Sequence, residues 1–182
     1  MGNDIRQTWV NNNYAMEGVV HQNEGEGHTD VWGIRWKKVG HFNQIAEFPL
    51  ETASRDQILS YRFPSDHQEE LLNQMTPLLN DTANWFIGCD VSPCVFEMYF
   101  RLRGMSNALT DMATDEELAC EMFKRSADFS IELAGQACSR FPLDWLWTGD
   151  DVAGQDALMM NPSMWREPVT PQQCSPTDVC SS

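Results

Sequence analysis

The strongest hydrophobic pattern lies in the second half of the chain. Apolar residues at helical spacing continue up to Pro142 and predict one long helix over residues 115–141. A short apolar run at 85–89, before that helix, is typical of a buried strand, and residues 143–147, after it, predict a second strand. A strand, a helix and a strand in this order suit a βαβ unit. We therefore expect the two strands to be parallel, with the helix packed on their outer side.

The first half of the chain has weaker patterns. Residues 1–30 are rich in asparagine, glycine and other polar residues, and we interpret them as loop. Alternation at 31–36 predicts a strand, and a short helix is expected within 51–59. Ser65, with a glutamine three residues later, has the form of a capping box and predicts a helix start. Pro77 is expected to kink or divide that helix.

Local signals mark the ends of the remaining helices. A helix over 94–102 is expected to end at Gly104, because glycine readily adopts the left-handed conformation of a helix stop. Thr114, with a glutamate three residues later, has the form of a second capping box and predicts the start of the long helix. Asn161 is expected to cap a last helix, which has Pro162 at its first position.

Charge and composition narrow the classes of protein and partner. The 182 residues include 12 basic and 27 acidic side chains, for a net charge of −15. Such a chain repels a phosphate backbone, so nucleic acid is not an expected partner. Hydrophobic residues make up 42% of the chain, which is typical of globular proteins. The sequence has no run of 18 apolar residues and no visible secretory pattern, so we expect no membrane segment.

Six cysteines are too few for a disulfide scaffold in a chain of this length. Those inside apolar or helical stretches are expected to be buried free thiols: Cys89, Cys94, Cys120 and Cys138. This cysteine usage predicts a cytoplasmic protein. No Cys-x-x-Cys occurs and no histidine follows His67, so the sequence predicts no metal site.

Two acidic residues follow the 143–147 strand directly. Asp150 and Asp151 open a turn that continues to Gln155. The carboxyl ends of strands hold the active sites of parallel α/β proteins, so the two carboxylates are candidates for a general acid and base. In the structural alternative, Asp151 caps the following turn and Asp150 accepts hydrogen bonds from backbone amides.

Polar residues also follow the 85–89 strand. Asp90 and Ser92 are candidates for lining a pocket, with the alternative that they serve as turn and cap residues. Arg101 and Arg103 have a spacing that would clamp a carboxylate or a phosphate. A solvated helix face is the alternative interpretation of the two arginines.

Four blocks of sequence form an ordered set that is fairly specific as a whole. They are DVWGIRW at 30–36, FEMYFRLRGM at 96–105 with LTDM at 109–112, DWLWTGDDVAGQ at 144–155, and NPSMWRE at 161–167. This set resembles the uroporphyrinogen decarboxylase superfamily, and the resemblance extends over about residues 30–167.

The resemblance implies an α/β fold of the (β/α)₈ type. That fold usually needs about 250 residues, so we expect an incomplete (β/α)₈ TIM-type barrel that comprises its N-terminal and central portion. The expected organisation is a polar N-terminal segment over 1–30, the partial barrel over 31–167, and a proline-rich, disordered tail over 168–182.

Two chemistries occur in this superfamily. Uroporphyrinogen decarboxylase removes acetate carboxyl groups from a tetrapyrrole in porphyrin biosynthesis without a cofactor. It uses an aspartate near the pyrrole nitrogens and arginines near the substrate carboxylates. The corrinoid-dependent methyltransferases hold zinc through a His-x-Cys pair and a distant cysteine. The resemblance implies a cytoplasmic carboxy-lyase that is inactive as this short chain. A corrinoid-dependent methyltransferase and a non-enzymatic fragment are the alternatives.

The resemblance also assigns roles to particular residues. Asp150 and Asp151 are the expected catalytic residues, and one of them is expected to lie beside Tyr99. Tyr99 and Gln155, together with Asp90, are expected to contact the substrate. No cofactor and no metal are expected. The expected partner is a small molecule, a tetrapyrrole or a corrinoid. An open half-barrel would also favour association into a homo-oligomer.

Overall fold

The computed structural model describes residues 4–11 and 23–166. Its strands are β1 (Ile5–Trp9), β2 (Gly27–Thr29), β3 (Arg35–Val39), β4 (Phe42–Glu47), β5 (Phe86–Asp90) and β6 (Trp145–Trp147). Its α-helices are α1 (Arg55–Ser60), α2 (Gln68–Asn73), α3 (Phe96–Arg103), α4 (Met105–Thr114), α5 (Glu116–Arg140) and α6 (Pro162–Arg166). Two 3₁₀ segments, Ser65–His67 and Thr76–Asn84, lie on either side of α2.

The first sheet is parallel and has β5 at its centre. Its strand order is β1–β5–β6, with Gln7 opposite Gly88 and Gly88 opposite Trp145. Successive residues of a strand point to opposite faces, so β5 presents two different surfaces. Ile87 and Cys89 are fully buried on one face, and burial raises the pKa of the Cys89 thiol to about 12. The predicted parallel pairing of the two apolar strands is confirmed.

The second sheet is an antiparallel meander with the order β2–β3–β4. A tight turn joins β3 to β4 at Gly40, whose φ of +62° suits glycine. Just before β3, the Asp30 carboxylate accepts hydrogen bonds from the amides of Trp32 and Ile34, each at 2.9 Å. It also accepts the indole N–H of Trp36 at 2.7 Å. These bonds fold the chain into a turn, so the strand begins later than the alternation predicted.

Helix α5 forms the centre of the helical layer. It packs against α1, α3 and α4. Its apolar stripe is buried as predicted, with Leu118, Met122, Phe129, Leu133 and Ala137 in the core. The same core cluster includes the buried face of β5. The predicted length is also confirmed, because the 25-residue helix ends just before Pro142.

Three further helix-end predictions are confirmed. Gly104 ends α3 with a φ of +84°. The Asn161 carboxamide oxygen accepts the amide N–H of Ser163 at 3.0 Å and so caps α6. Pro77 lies at the start of the second 3₁₀ segment, after α2 has ended, and therefore divides the predicted helix.

Two capping predictions are wrong. The long helix is capped by Asp115 rather than Thr114, because the Asp115 carboxylate accepts the amide N–H of Leu118 at 3.2 Å. Arg55 donates to the same carboxylate at 2.9 Å and holds it at the helix end. Ser65 makes no capping hydrogen bond, because it lies inside a 3₁₀ turn that precedes α2.

The expected incomplete (β/α)₈ barrel is also wrong. The described residues form two separate three-stranded sheets, one parallel and one antiparallel, with no barrel closure. A barrel needs a helix after each strand. Residues 27–47 instead pair with one another across short connections, which gives antiparallel strands. Segment 1–30, which we interpreted as loop, supplies β1 and β2. The 168–182 tail lies outside the described residues.

The cysteine predictions are partly right. Cys89 and Cys94 are buried free thiols as predicted, and burial raises the pKa of Cys94 to about 12. Cys120 is a free thiol but is only partly buried. Cys138, expected to be a free buried thiol, is instead disulfide-bonded and partly buried near the end of α5.

Within residues 4–11 and 23–166, no helix combines the length and the apolar character needed to cross a membrane.

Leu133→Ala is expected to lower the free energy of unfolding by about 2–5 kcal/mol, because Leu133 is fully buried and its loss leaves a cavity. Urea denaturation followed by circular dichroism measures the change. Glu121→Ala, at an exposed position of the same helix, is the matched control and should change stability by less than about 0.5 kcal/mol. Equal effects of the two substitutions would contradict the buried position of Leu133.

Candidate functional site

The parallel sheet has one face in the core and one face that is largely open. The strand registers place Ile5, Gln7, Trp9, Phe86, Gly88, Asp90, Trp145 and Trp147 together on this second face, which we call the open face. Three of its large apolar side chains are about half exposed: Ile5 at 52%, Phe86 at 48% and Trp147 at 52%. Half-exposed apolar side chains on one face of a sheet are a feature of interaction and ligand sites.

Tryptophans dominate the β6 side of the open face. The rings of Trp145 and Trp147 meet edge to face, with centroids 6.0 Å apart. The Trp145 ring lies over Gly88, where an added Cβ would be 2.1 Å from the ring carbon Cε2. Only glycine leaves room for the ring at that position. The Trp145 indole N–H is buried and has no hydrogen-bond acceptor among the described residues.

A buried carboxylate lies at the carboxyl end of β5, the central strand of the open face. Asp90 is only 6% exposed. It accepts the amide N–H of Ser92 at 2.8 Å and also the Ser92 hydroxyl, which in turn accepts the indole N–H of Trp9 at 3.1 Å. Burial raises the pKa of Asp90, the hydrogen bonds from Ser92 lower it, and the nearby charge of Glu97 raises it.

Helix α3 brings an ion pair to the same end of the sheet. Glu97 accepts a hydrogen bond from Arg101 at 2.6 Å, and both side chains are largely buried. The other Glu97 oxygen accepts the amide N–H of Asp151 at 3.2 Å, while the Asp150 carboxylate accepts the amide N–H of Glu97 at 2.7 Å. These contacts join the loop after β6 to the first turn of α3.

Arg101 lies between two indole rings. Its guanidinium carbon is 5.9 Å from the ring centroid of Trp9 and 5.7 Å from that of Trp36. Such positions allow cation–π attraction. The cation is therefore held beside the open face by Glu97 and by aromatic rings from both sheets.

The structure brings some of the predicted site residues together and separates others. Asp90 and Asp150 both lie at the carboxyl end of the parallel sheet, next to Glu97. Asp151 and Gln155 are exposed in the loop that follows. Asp150 accepts a backbone amide, which is the structural role that the sequence left open for it, although the amide belongs to α3 rather than to the turn.

Tyr99 belongs to a different cluster. It is fully buried, and its hydroxyl donates to Asp111 at 2.6 Å. Arg103 donates to the same carboxylate at 2.9 Å and to the carbonyl oxygen of Leu50 at 2.7 Å. Residues 97 and 101 share one face of α3, and residue 99 lies on another. Tyr99 and Arg103 therefore hold the helices together, away from the contacts of Asp150.

Glu97 and Trp9 were missed in the sequence, and Arg101 was recognised only as a possible clamp with Arg103. Glu97 and Arg101 are four residues apart, a spacing at which opposite charges on a helix pair, and this signal was available. Trp9 lies in a segment that we interpreted as loop, and nothing in its neighbourhood distinguishes it. In the part of the chain that the structure describes, no group of three or more metal-ligating side chains is placed to hold a metal ion.

Comparisons with family models, with curated proteins and with solved structures find no match to this chain. The resemblance to the uroporphyrinogen decarboxylase superfamily therefore stays a prediction from the sequence blocks.

Asp90 is expected to make stability depend on pH. Its raised pKa means that the folded protein binds the proton more tightly than the unfolded chain does. The resulting stabilisation is fully present below the pKa that Asp90 has in the unfolded chain. It is lost as the pH rises through the pKa that Asp90 has in the folded protein. Asn at position 90 cannot ionise. The free energy of unfolding of the wild type should therefore fall relative to that of Asp90→Asn between about pH 4 and about pH 7.

Urea denaturation of both proteins at the two pH values measures this difference. A difference that does not change with pH, or that changes in the opposite direction, would contradict the buried position of the Asp90 carboxyl.

Proposed function

We propose that this chain is a uroporphyrinogen decarboxylase-like protein of porphyrin biosynthesis that binds a carboxylate-bearing tetrapyrrole on the open face. The observation that carries the proposal is the combination of an exposed aromatic surface with the buried carboxylate of Asp90 at its end. The resemblance of the sequence blocks supports the same class of ligand.

The shape of the open face suits a flat ligand. Three adjacent strands span about 10 Å across the sheet, since neighbouring strands are about 4.8 Å apart. The ring of Trp145 covers Gly88, which has no side chain, and the rings of Trp145 and Trp147 together provide apolar area on this face. A flat macrocycle gains from stacking on such rings and from removing half-exposed apolar surface from water.

Asp90 would recognise the nitrogen side of the macrocycle. A carboxylate accepts hydrogen bonds from pyrrole N–H groups, and it stabilises the positive charge that develops when a pyrrole ring is protonated. The bonds from Ser92 hold one of its oxygens in a fixed orientation.

Arg101 would meet a carboxylate on the rim of the ligand. Its guanidinium pairs with Glu97, and a planar guanidinium with five N–H donors can serve a second carboxylate at the same time. The chain has a net charge of −15, which opposes polyanionic ligands as a whole. A porphyrin with few carboxylates should therefore bind better than one with many.

We expect binding without measurable decarboxylation. Decarboxylation of an electron-rich ring through its protonated form requires a site that excludes water. Trp147 and Phe86 are about half exposed, so the described residues leave the open face accessible to water.

A porphyrin titration tests this proposal. Coproporphyrin, which carries fewer carboxylates than uroporphyrin, should quench the tryptophan fluorescence of the chain and saturate. Trp147→Ala should weaken binding about 10-fold, because the ring supplies stacking area. Asp156→Asn, at an exposed position after β6, is the matched control and should bind as the wild type does.

Three outcomes would contradict the proposal. They are no saturable binding of coproporphyrin, equal binding by wild type and Trp147→Ala, or tighter binding of uroporphyrin than of coproporphyrin. The same titration is repeated with cobalamin, a corrinoid. If cobalamin binds and the porphyrins do not, the methyltransferase-like alternative replaces the porphyrin proposal.

A further inference from the structure

A cavity lined by helix α5 lies apart from the open face. It has a volume of about 730 Å³ and lies between residues 59–67 and helix α5. Its apolar wall includes Phe63 and Phe129, whose ring centroids are 6.2 Å apart. The residues that line it are different from those of the open face. The volume is in the range of small-ligand sites.

Contacts at both ends fix the direction of the 59–67 segment relative to α5. At one end, Arg125 donates hydrogen bonds to the carbonyl oxygen of Leu59 at 3.1 Å and to that of Tyr61. At the other end, the Gln136 side chain donates to the Gln68 side chain at 2.6 Å. The segment therefore runs beside α5 in the same direction as the helix.

One end of the cavity is cationic. The Arg125 guanidinium lies 4.8 Å from the Phe63 ring centroid, and its described hydrogen-bond partners are uncharged. Within residues 4–11 and 23–166, no carboxylate forms an ion pair with it. Arg62 adds a second cation next to Tyr61. A guanidinium without an ion-pair partner at a cavity wall favours an anionic group on a ligand.

The opposite end is acidic. Glu132 lies seven residues after Arg125 on α5. Asp66 lines the same cavity two residues before Gln68, so the shared direction of the two segments places it towards this end. Glu132 accepts one hydrogen bond, at 3.4 Å, from the neutral side chain of Gln136. Asp128, between the two ends, is already paired with Lys124 at 2.7 Å. The acidic end therefore favours an ammonium group.

We propose that this cavity binds a zwitterionic tripeptide with an aromatic central residue. Seven residues of α-helix separate positions 125 and 132 by about 10 Å along the axis. An extended tripeptide places its terminal ammonium and carboxylate about 10 Å apart. The carboxylate meets Arg125, the ammonium meets Glu132 and Asp66, and the central ring packs on Phe63 and Phe129.

Calorimetric titration of the full chain with Ala-Phe-Ala tests the ligand class. The peptide should bind saturably. Its N-acetyl derivative lacks the ammonium, and its C-terminal amide lacks the carboxylate. Each blocked peptide should bind about 5–10-fold more weakly, as expected for one lost ionic contact at a partly exposed site. Equal binding of free and blocked peptides, or no saturable binding of the free peptide, would overturn the proposal.

Two variants assign each charge to its end of the cavity. Glu132→Gln should weaken binding of the free peptide about 5–10-fold but should leave binding of the N-acetyl peptide unchanged, because that peptide has no ammonium to lose. Arg125→Gln should weaken binding of the free peptide by the same factor but should leave binding of the C-terminal amide unchanged, because that peptide has no carboxylate to lose. Glu121→Gln, exposed on the same helix, is the control and should bind every peptide as the wild type does.

Glu132 is exposed, so its substitution does not threaten folding. If Arg125→Gln fails to fold because its bonds to the 59–61 carbonyls are lost, the Glu132 comparison decides the question. An equal loss of free and N-acetyl peptide binding in Glu132→Gln would refute the assignment of the ammonium to that end.

Discussion

The parallel pairing of β5 with a strand on each side is the constraint on which the rest of the structure depends. Backbone pairing aligns the three strands, so their carboxyl ends lie together. Since β5 alternates between its two faces, burying Ile87 and Cys89 in the core turns Gly88 and Asp90 the other way. The candidate site is thus a direct consequence of which face the core covers.

Helix α3 completes the site because of where it begins. The chain leaves β5 at Asp90 and enters the helix at Phe96, so the first turn of α3 lies next to the strand ends. Glu97 then contacts the loop after β6 through its backbone and its carboxylate. Four residues later Arg101 returns to the same helix face and pairs with Glu97. The polar groups of the site are mutually bonded, which is what allows them to be buried.

The elements that could be predicted from the sequence are those with a dense apolar signal. β5, β6 and α5 contain continuous or regularly spaced apolar residues. The parallel pairing of β5 with β6 is confirmed, and so is the burial of Ile87, of Cys89 and of the apolar stripe of α5. β1 could not be recognised, because Ile5 and Trp9 are its only large apolar residues and three of its five residues are exposed. The barrel was expected from the resemblance alone, and the local pairing of β2, β3 and β4 replaces it.

The candidate site was predicted in part. Position after a strand identified Asp90 and Asp150, since the ends of parallel strands meet at one edge of a sheet. Tyr99 was assigned by resemblance, and its helix face places it with Asp111 instead. The aromatic open face could not be foreseen, because it requires β1 and the registers of all three strands. Trp145 and Trp147 contribute to it because they alternate with Leu146 and lie on the same face as Gly88 and Asp90.

The central claim is that the open face of the parallel sheet is the ligand surface of this chain. Indole N–H resonances report on it directly, because Trp9, Trp145 and Trp147 lie on that face and Trp32 is buried elsewhere. In a ¹⁵N-labelled sample titrated with coproporphyrin, we expect the resonances of those three indoles to shift or broaden while that of Trp32 stays in place. Perturbation of Trp32 with no change in Trp145 and Trp147 would contradict the account.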